Sequence, residues 1–321
     1  HGCTLDTTFI TLAGNQTRTL LASSENPNQT GYLMAMAVGT SGLPIQFNWL
    51  IGSASYRDAR GFEVNYNAVG VAKRTNGGVP TAADGSAQLL FNNSEYDRLP
   101  KQIAVDNLQN QNPQGTGGDA PVKTDVVVYS PLSSLASTAS QGLKINAVLN
   151  DQSGRPFPQV VNSGCGLSNA VTGVWPDFNT VVTPTRQGYA TFAVTDANNQ
   201  TLPVLGLSLT EGVNGALHNA RQIQVLSWVD SFRMSVPVVP PTGAPNDPIT
   251  TNQPDPVAGQ GASEMKAGSI LLFSRFASGI YGTTALSITN THPTQRARAR
   301  IFFTGLVDPV LMNEKIIVLE P

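Results

Sequence analysis

Charged side chains are scarce in this sequence: Asp, Glu, Lys and Arg make up 12% of its 321 residues, and the formal net charge is −2. A protein that binds nucleic acid or an anionic membrane surface needs a concentrated positive field, which this balance does not provide. The chain also lacks any apolar run near the roughly 18 residues that a membrane-spanning helix requires. We therefore expect neither nucleic acid binding nor membrane insertion.

Histidine and the common catalytic motifs are scarce as well. The sequence has three histidines, and it contains no G-x-S-x-G nucleophile elbow, no phosphate-binding G-x-x-x-x-G-K-[ST] loop and no H-E-x-x-H zinc motif. Two carboxylates could still meet in three dimensions, as in glycosidases, but no pair stands out. We predict that the protein is not an enzyme and has no catalytic residues, metal site or cofactor.

His1 leaves one enzymatic alternative open. In the histidine brace of lytic polysaccharide monooxygenases, an N-terminal histidine and a second histidine hold Cu(II) through nitrogen ligands. His218 and His292 are the candidate second ligands, but neither has the local pattern of that copper family. We favour the simpler interpretation that His1 is the point where processing cut the chain, and keep the copper enzyme as the less favoured alternative.

Cysteine is limited to Cys3 and Cys165. They can form one disulfide in an oxidising compartment, although a sequence does not give their distance. The polar, weakly charged composition predicts an extracellular or cell-surface location for a secreted chain whose signal peptide has been removed. Four asparagines stand in Asn-x-Ser/Thr sequons, and their glycosylation stays open: Asn15, Asn28, Asn92 and Asn199.

The apolar residues recur with period two over short runs bounded by Gly, Asn, Pro and Asp, which is the pattern of β-strands. Residues 283–289 place Leu286 and Ile288 on one face and polar residues on the other. No stretch shows helical periodicity beyond two turns. We predict an all-β protein with two antiparallel β-sandwich domains, immunoglobulin-like or jelly-roll-like.

The strand-rich blocks divide the chain into four parts. We predict an incomplete first sandwich (residues 1–120), a second sandwich (121–238), a Pro/Gly-rich linker (239–267) and a C-terminal donor-strand segment (268–321). Seven prolines between Pro237 and Pro256 favour extended polyproline II, a semi-rigid spacer. The C-terminal part is too small to bury its apolar faces alone, and the first part lacks an obvious second sheet.

The stretches CTLDTTFITLAGNQTRTLL, YDRLPKQIAVDNL and HNARQIQVLSWVDSFRMSVPV resemble a group of secreted, functionally uncharacterised bacterial β-sandwich proteins. In that group a segment similar to GSILLFSRF…TALSITNTHPTQRARARIFF opens the first domain, directly ahead of the CTLDTTFITL stretch. Here that segment stands at the C-terminus, behind the linker. The group often has a second cysteine near the position of Thr11, so its absence leaves Cys165 as the partner for Cys3 within the chain.

The displaced segment has two physical interpretations. It can complete the first domain of its own chain, as in a circular permutation, or that of the next molecule by donor-strand complementation. A head-to-tail contact that does not close on itself builds a filament. We favour a structural subunit of an extracellular filament, a homopolymer whose partner is another copy of itself. The alternative is a monomeric carbohydrate-binding or adhesin module that contacts glycans or surfaces.

The donor strands are expected to insert alternate apolar side chains into a groove formed by the first block. The donor residues are Ile270, Leu272, Leu286, Ile288, Ile301 and Phe303. The acceptor residues are Phe9, Leu12, Tyr32, Met34, Met36, Phe47 and Leu50.

Two further sets of residues receive structural interpretations. The alternating arginines Arg296, Arg298 and Arg300 are expected on a solvent-exposed face, where they would protect a sheet edge from unwanted pairing. Trp49 and Trp228 stand within strand patterns, so for them and for Trp175 we expect core packing rather than a sugar-binding platform.

Overall fold

The computed structural model describes residues 3–58, 61–109, 123–131, 133–135, 142–151, 154–170, 174–175, 187–211, 217–240, 261–264, 266–279 and 282–305. The strands are β1 (Thr4–Leu12), β2 (Thr17–Leu21), β3 (Thr30–Ala37), β4 (Leu50–Arg57), β5 (Glu63–Asn67), β6 (Val69–Val71), β7 (Ala87–Phe91), β8 (Pro100–Gln109), β9 (Lys123–Tyr129), β10 (Leu143–Asp151), β11 (Pro156–Ser163), β12 (Gly166–Ala170), β13 (Gln187–Thr195), β14 (Thr201–Leu202), β15 (Leu205–Glu211), β16 (Leu217–Gln222), β17 (Gln224–Trp228), β18 (Phe232–Val236), β19 (Ile270–Ala277), β20 (Thr283–Asn290) and β21 (Ala297–Gly305). One helical turn, α1 (Ala22–Glu25), separates β2 from β3, and the described residues include no helix that could cross a lipid bilayer.

The strands form four larger antiparallel sheets and one strand pair. Sheet 1 has the order β2-β20-β4-β5, and sheet 2 the order β1-β21-β3-β19-β6. Sheet 3 has the order β12-β9-β15-β16, and sheet 4 the order β11-β10-β13-β8-β17 with β14 beside β13. The remaining pair is β7 with β18. The prediction of an all-β fold of antiparallel sandwiches is confirmed.

The four sheets stack in numerical order, and burial follows the layer. In the outer sheets one face meets water, so buried and less buried residues alternate along β20 and β10. In sheet 2 both faces are covered, and every residue of β3 and β21 is buried. Sheet 1 packs closely on sheet 2, because a Cβ added at Gly52 of β4 would lie 2.6 Å from the Phe273 ring.

Sheet 3 is the wall between two hydrophobic cores. Along β9, Val126 and Val128 face a core shared with sheet 4, which we call the second core. Val127 and Tyr129 face the opposite way, into the first core, which sheets 1 and 2 complete. There the Tyr129 ring stacks on Tyr32 of β3, with ring centroids 4.1 Å apart. The run of valines in β9 is therefore explained by burial on both faces.

The chain passes from the first core to the second earlier than the predicted boundary at residue 120. Strand β8 pairs with β13 and β17 inside sheet 4, although the predicted boundaries place it in the first sandwich. The chain returns to the first core after Trp228, since β18 pairs with β7. Strand patterns do not reveal partners, so this crossing could not be located from the sequence.

A disulfide joins Cys3 to Cys165, whose Cα atoms are 5.6 Å apart. Both residues are buried, Cys3 just ahead of β1 and Cys165 just ahead of β12. The bond links the edge strand of sheet 2 to the edge strand of sheet 3. It thus ties the N-terminus to the wall between the two cores.

Candidate functional site

Each of the three C-terminal strands lies between two strands from the N-terminal part of the chain. Strand β19 lies between β3 and β6, β20 between β2 and β4, and β21 between β1 and β3. In register, Leu272 faces Met34. Likewise, Ile301 stands opposite both Thr8 and Ala35. The N-terminal and C-terminal strands therefore alternate across the sheet.

Sheet 2 would have no strand pairs left without the C-terminal strands. Among the described strands, β1 pairs with β21 alone, β6 with β19 alone, and β3 with these two C-terminal strands. In sheet 1 β2 has β20 as its only described neighbour, and β4–β5 is the pair that survives. Buried backbone N–H and C=O groups without partners are costly. The N-terminal strands therefore need a C-terminal segment, whichever chain supplies it.

The residues predicted as donor and acceptor meet in the first core. All six donor side chains are at most 1% exposed, and Phe303 packs edge-on against Phe276 with ring centroids 5.4 Å apart. Six of the seven acceptor residues are at most 2% exposed, while Phe9 at the edge strand β1 is half-buried. The structure thus brings both predicted sets together within one chain.

The expectation of a solvent-exposed arginine face is wrong for two of its three members. Arg296 is exposed, but Arg298 and Arg300 are 4% and 2% exposed, because β21 lies inside a sheet covered on both faces. The Arg300 guanidinium donates to the Thr7 hydroxyl (3.0 Å) and to the Pro237 carbonyl, and lies 4.6 Å from the centre of the Phe302 ring. Burial lowers the pKa of Arg300 from its usual value.

Contact with the first core begins before the predicted start of the donor segment at residue 268. We call residues 261–269 the lead-in. Ser263 and Gly70 exchange two backbone hydrogen bonds of 3.0 and 2.7 Å, and Gly268 exchanges two with Leu50. Gly261 lies so close to Trp228 that a Cβ there would be 2.4 Å from the indole ring. Backbone pairing of small residues leaves no apolar pattern, so this contact could not be predicted from the sequence.

A buried carboxylate connects the lead-in to the rest of the first core. Asp97 is fully buried and forms ion pairs with Arg74 (2.6 Å) and with Lys266 of the lead-in. The backbone N–H of Ala72 also donates to Asp97, at 2.8 Å. A buried charge is tolerated only with such partners. Because nothing in the sequence pairs Asp97 with Lys266, this contact was not predicted.

Buried polar side chains also fix the position of the C-terminal strands. The Ser269 hydroxyl donates to the Asn48 side-chain oxygen (2.5 Å) and accepts from the Phe47 backbone N–H (2.8 Å). Asn290, which is fully buried, donates to the backbone carbonyls of Ala13 (3.0 Å) and Gln295 (2.7 Å). Shifting a strand by one residue would leave these groups unpaired, which costs about 1–3 kcal/mol for each group.

The geometry of the described residues gives little support to the alternative of a copper site. His1 lies outside the described residues, and His218 is in β16 with its side chain not described. The His292 Nδ1 accepts hydrogen bonds from the backbone N–H groups of Thr294 (3.2 Å) and Gln295 (2.9 Å), so this side chain closes the β20–β21 turn. Within the described ranges, no three His, Cys, Asp or Glu residues are grouped so as to hold a metal ion.

The tryptophans offer no open platform for a sugar. Trp175 is 2% exposed in the second core, and its indole N–H donates to the Phe157 carbonyl at 2.9 Å. Trp49 and Trp228 are half-buried against the first core. Their packing agrees with the expectation that the tryptophans serve the cores.

Comparison with known proteins identifies no family. No family model matches this chain, and no curated protein matches its sequence. An X-ray structure of a Northeast Structural Genomics Consortium target aligns with 53% of this chain and 85% of its own at 11% identity, with a TM-score of 0.13. The infectious bursal disease virus VP2 subviral particle aligns with 95% of this chain and 81% of its own at 9% identity, with a TM-score of 0.16. Similarities this weak support no statement about fold or function.

Proposed function

We propose that this protein is a structural subunit of an extracellular filament, in which residues 261–305 of one copy complete the first core of the next copy. The observation that supports the proposal most is the strand order of sheet 2. Among the described residues, its three N-terminal strands do not pair with one another, and each pairs with a C-terminal strand. A chain whose two ends complete one core can complete it within one molecule or between two, with the same contacts.

The linker favours contact between molecules. Twenty residues, 241–260, separate the described ends, and five of them are proline: Pro241, Pro245, Pro248, Pro254 and Pro256. In polyproline II, which this composition predicts, such a stretch spans about 60 Å. A folded body of the size of the first core is about 40 Å across. A linker in that conformation would be long enough to reach the first core of a neighbouring copy.

Such a contact polymerises without closing. The acceptor strands and the donor strands are different surfaces, so each added copy leaves one free acceptor and one free donor at the two ends of the assembly. Backbone hydrogen bonds provide affinity, and the buried side chains of the donor provide register. The Cys3–Cys165 disulfide is compatible with the oxidising, extracellular location that the proposal requires.

Negative-stain electron microscopy tests the proposal with the native protein and a form truncated after Gly261. We expect fibres from the native chain and none from the truncated one. A peptide of residues 262–305 added to the truncated form should restore the first core without restoring fibres, because the peptide brings no second acceptor. A compact monomer from the native chain would contradict the proposal and mean that the segment closes on its own core.

A further inference from the structure

Three of the four sequons share one local geometry. Each asparagine has a left-handed backbone, with φ of 57°, 57° and 62°, and each is exposed in a turn. Each is followed by Gln and Thr, and the Thr is the first residue of a strand, β2, β3 or β14. The three asparagines are Asn15, Asn28 and Asn199.

The turn alone does not explain these triplets. Asn suits a left-handed position because its short polar side chain tolerates it, but that conformation makes no demand on the residue two places later. Asn93, with φ of 67°, is followed by Ser and Glu and forms no sequon. Seven glycines have φ between 60° and 118°, and Gly282 alone among them has Ser or Thr two residues on. Three of the four left-handed asparagines thus have a hydroxyl residue two places on, against one of the seven glycines.

The fourth sequon differs in structure. Asn92 is half-buried, and its side-chain oxygen accepts hydrogen bonds from the backbone N–H groups of Ser94 (2.8 Å) and Glu95 (2.9 Å). Its neighbours Phe91 and Tyr96 pack in the first core, with ring centroids 5.4 Å apart. The side chain of Asn92 is therefore used inside the fold.

We propose that Asn15, Asn28 and Asn199 carry N-linked glycans and that Asn92 does not. The side-chain amide nitrogen attacks the anomeric carbon of a sugar carried on a lipid pyrophosphate. A C–N bond forms, the C–O bond to the pyrophosphate breaks, and the pyrophosphate leaves with the electron pair while the amide gives one proton to a base of the transferase. The amide keeps one N–H, so Asn15 can still donate to the Pro293 carbonyl, at 3.3 Å.

The structure also orders the events at Asn28. Thr30, the hydroxyl residue of that sequon, is 5% exposed, and its hydroxyl donates to the Phe276 carbonyl of β19 at 2.9 Å. A transferase that requires this hydroxyl reaches it only before a C-terminal segment docks. Glycan transfer at Asn28 therefore precedes completion of the first core. The proposal itself does not depend on which chain supplies that segment.

Glycopeptide mass spectrometry of the protein isolated from its natural host tests the assignment. We expect sugar mass on at least two of the three peptides that contain Asn15, Asn28 and Asn199, with the Asn92 peptide unmodified. Sugar on fewer than two of the three, or on Asn92, would overturn the proposal.

A pair of variants tests whether the sequon directs the attachment. Thr201 is exposed, so Thr201→Val removes its hydroxyl while keeping a β-branched side chain at a position outside the cores. We expect complete loss of the sugar at Asn199 in this variant and retention of the sugar in Thr201→Ser. Sugar that persists in Thr201→Val, or that disappears in Thr201→Ser, would contradict attachment through this sequon.

Discussion

The first and second cores are built from the chain in opposite ways. Sheets 3 and 4 use one continuous stretch, β8 to β17, which includes the local hairpin of β10 and β11. The first core takes strands from both ends of the chain, so that Thr8 pairs with Ile301. Local pairs form early and cheaply, whereas pairs between distant residues must first close a long loop. The second core can therefore form by itself, while the first depends on the arrival of a C-terminal segment.

Deletion of residues 262–321 should give the largest difference in stability between the two cores. We expect β1, β3 and β6 to lose their amide protection entirely, because each has lost every strand neighbour that the structure describes for it. Strands β10 and β13 in the second core should keep theirs. Hydrogen exchange followed by mass spectrometry measures both regions in one experiment. Undiminished protection of β3 in the truncated protein would show that the N-terminal strands pair without the segment.

A matched pair of core substitutions should separate the two cores next. Phe303 and Phe192 are both fully buried, so replacing either with Ala should cost about 3–5 kcal/mol of unfolding free energy. Trp175 reports on the second core and Trp49 on the first.

Protein concentration then distinguishes the unfolding transitions of the two cores. If neighbouring copies supply the donor, the midpoint of the first-core transition, which Phe303→Ala lowers, should rise with protein concentration, and the midpoint of the second-core transition, which Phe192→Ala lowers, should not. Denaturant titration followed by tryptophan fluorescence at two concentrations, about a hundredfold apart, provides the measurement. If the first-core midpoint of Phe303→Ala does not change with protein concentration, closure within one chain is favoured.

Removing the disulfide should have an intermediate effect. The bond holds β1, whose one described strand partner is β21, to the wall between the cores. We expect Cys3→Ser with Cys165→Ser to lose about 2–4 kcal/mol, as is typical for a disulfide that closes a long loop. The loss should appear in the first-core transition. Equal destabilisation of the first-core and second-core transitions would mean that the disulfide stabilises the whole molecule rather than the edge strand β1.

Loss of the buried ion pair should give the smallest of these effects. Lys266→Met leaves Asp97 with Arg74 and the Ala72 N–H, so we expect a cost of about 1–3 kcal/mol in the first core. Lys101→Met on β8, which is partly exposed, is the control and should stay within about 0.5 kcal/mol. Chemical denaturation of both variants measures the difference. Equal stability of the two would show that the lead-in does not depend on this contact.

The sequence predicted the fold wherever one face of a sheet meets water. Leu286 and Ile288 are buried and alternate with the less buried Ser287 and Thr289, as period two indicates, because β20 lies in an outer sheet. The same rule failed for Arg298 and Arg300, because β21 lies in an inner sheet. A pattern of apolar and polar residues does not show which layer a strand will occupy.

Contacts that depend on pairing between distant segments could not be predicted from the sequence. β8 has an ordinary strand pattern that fits either core, and its partners β13 and β17 are known only from the structure. Lys266 and Asp97 meet because the backbone of the lead-in pairs with the backbones of Gly70 and Arg98. Backbone pairing of this kind requires no particular side chains, so the sequence shows no pattern for it. These features follow from topology rather than from local preference.

Engineered cysteines test most directly whether the donor comes from another copy. Thr17 of β2 and Thr289 of β20 are opposite one another with hydroxyl oxygens 2.7 Å apart, so Thr17→Cys with Thr289→Cys places two thiols across the donor–acceptor boundary. Ser53→Cys with Asn67→Cys, a pair within β4 and β5, is the control for bonds inside one chain.

The readout is a non-reducing denaturing gel of oxidised protein. We expect a ladder of covalently linked chains from the Thr17→Cys, Thr289→Cys variant and a single monomer band from the Ser53→Cys, Asn67→Cys control. A monomer band from the first variant, with its two engineered thiols bonded to each other inside one chain, would contradict the account and show that each chain completes its own first core.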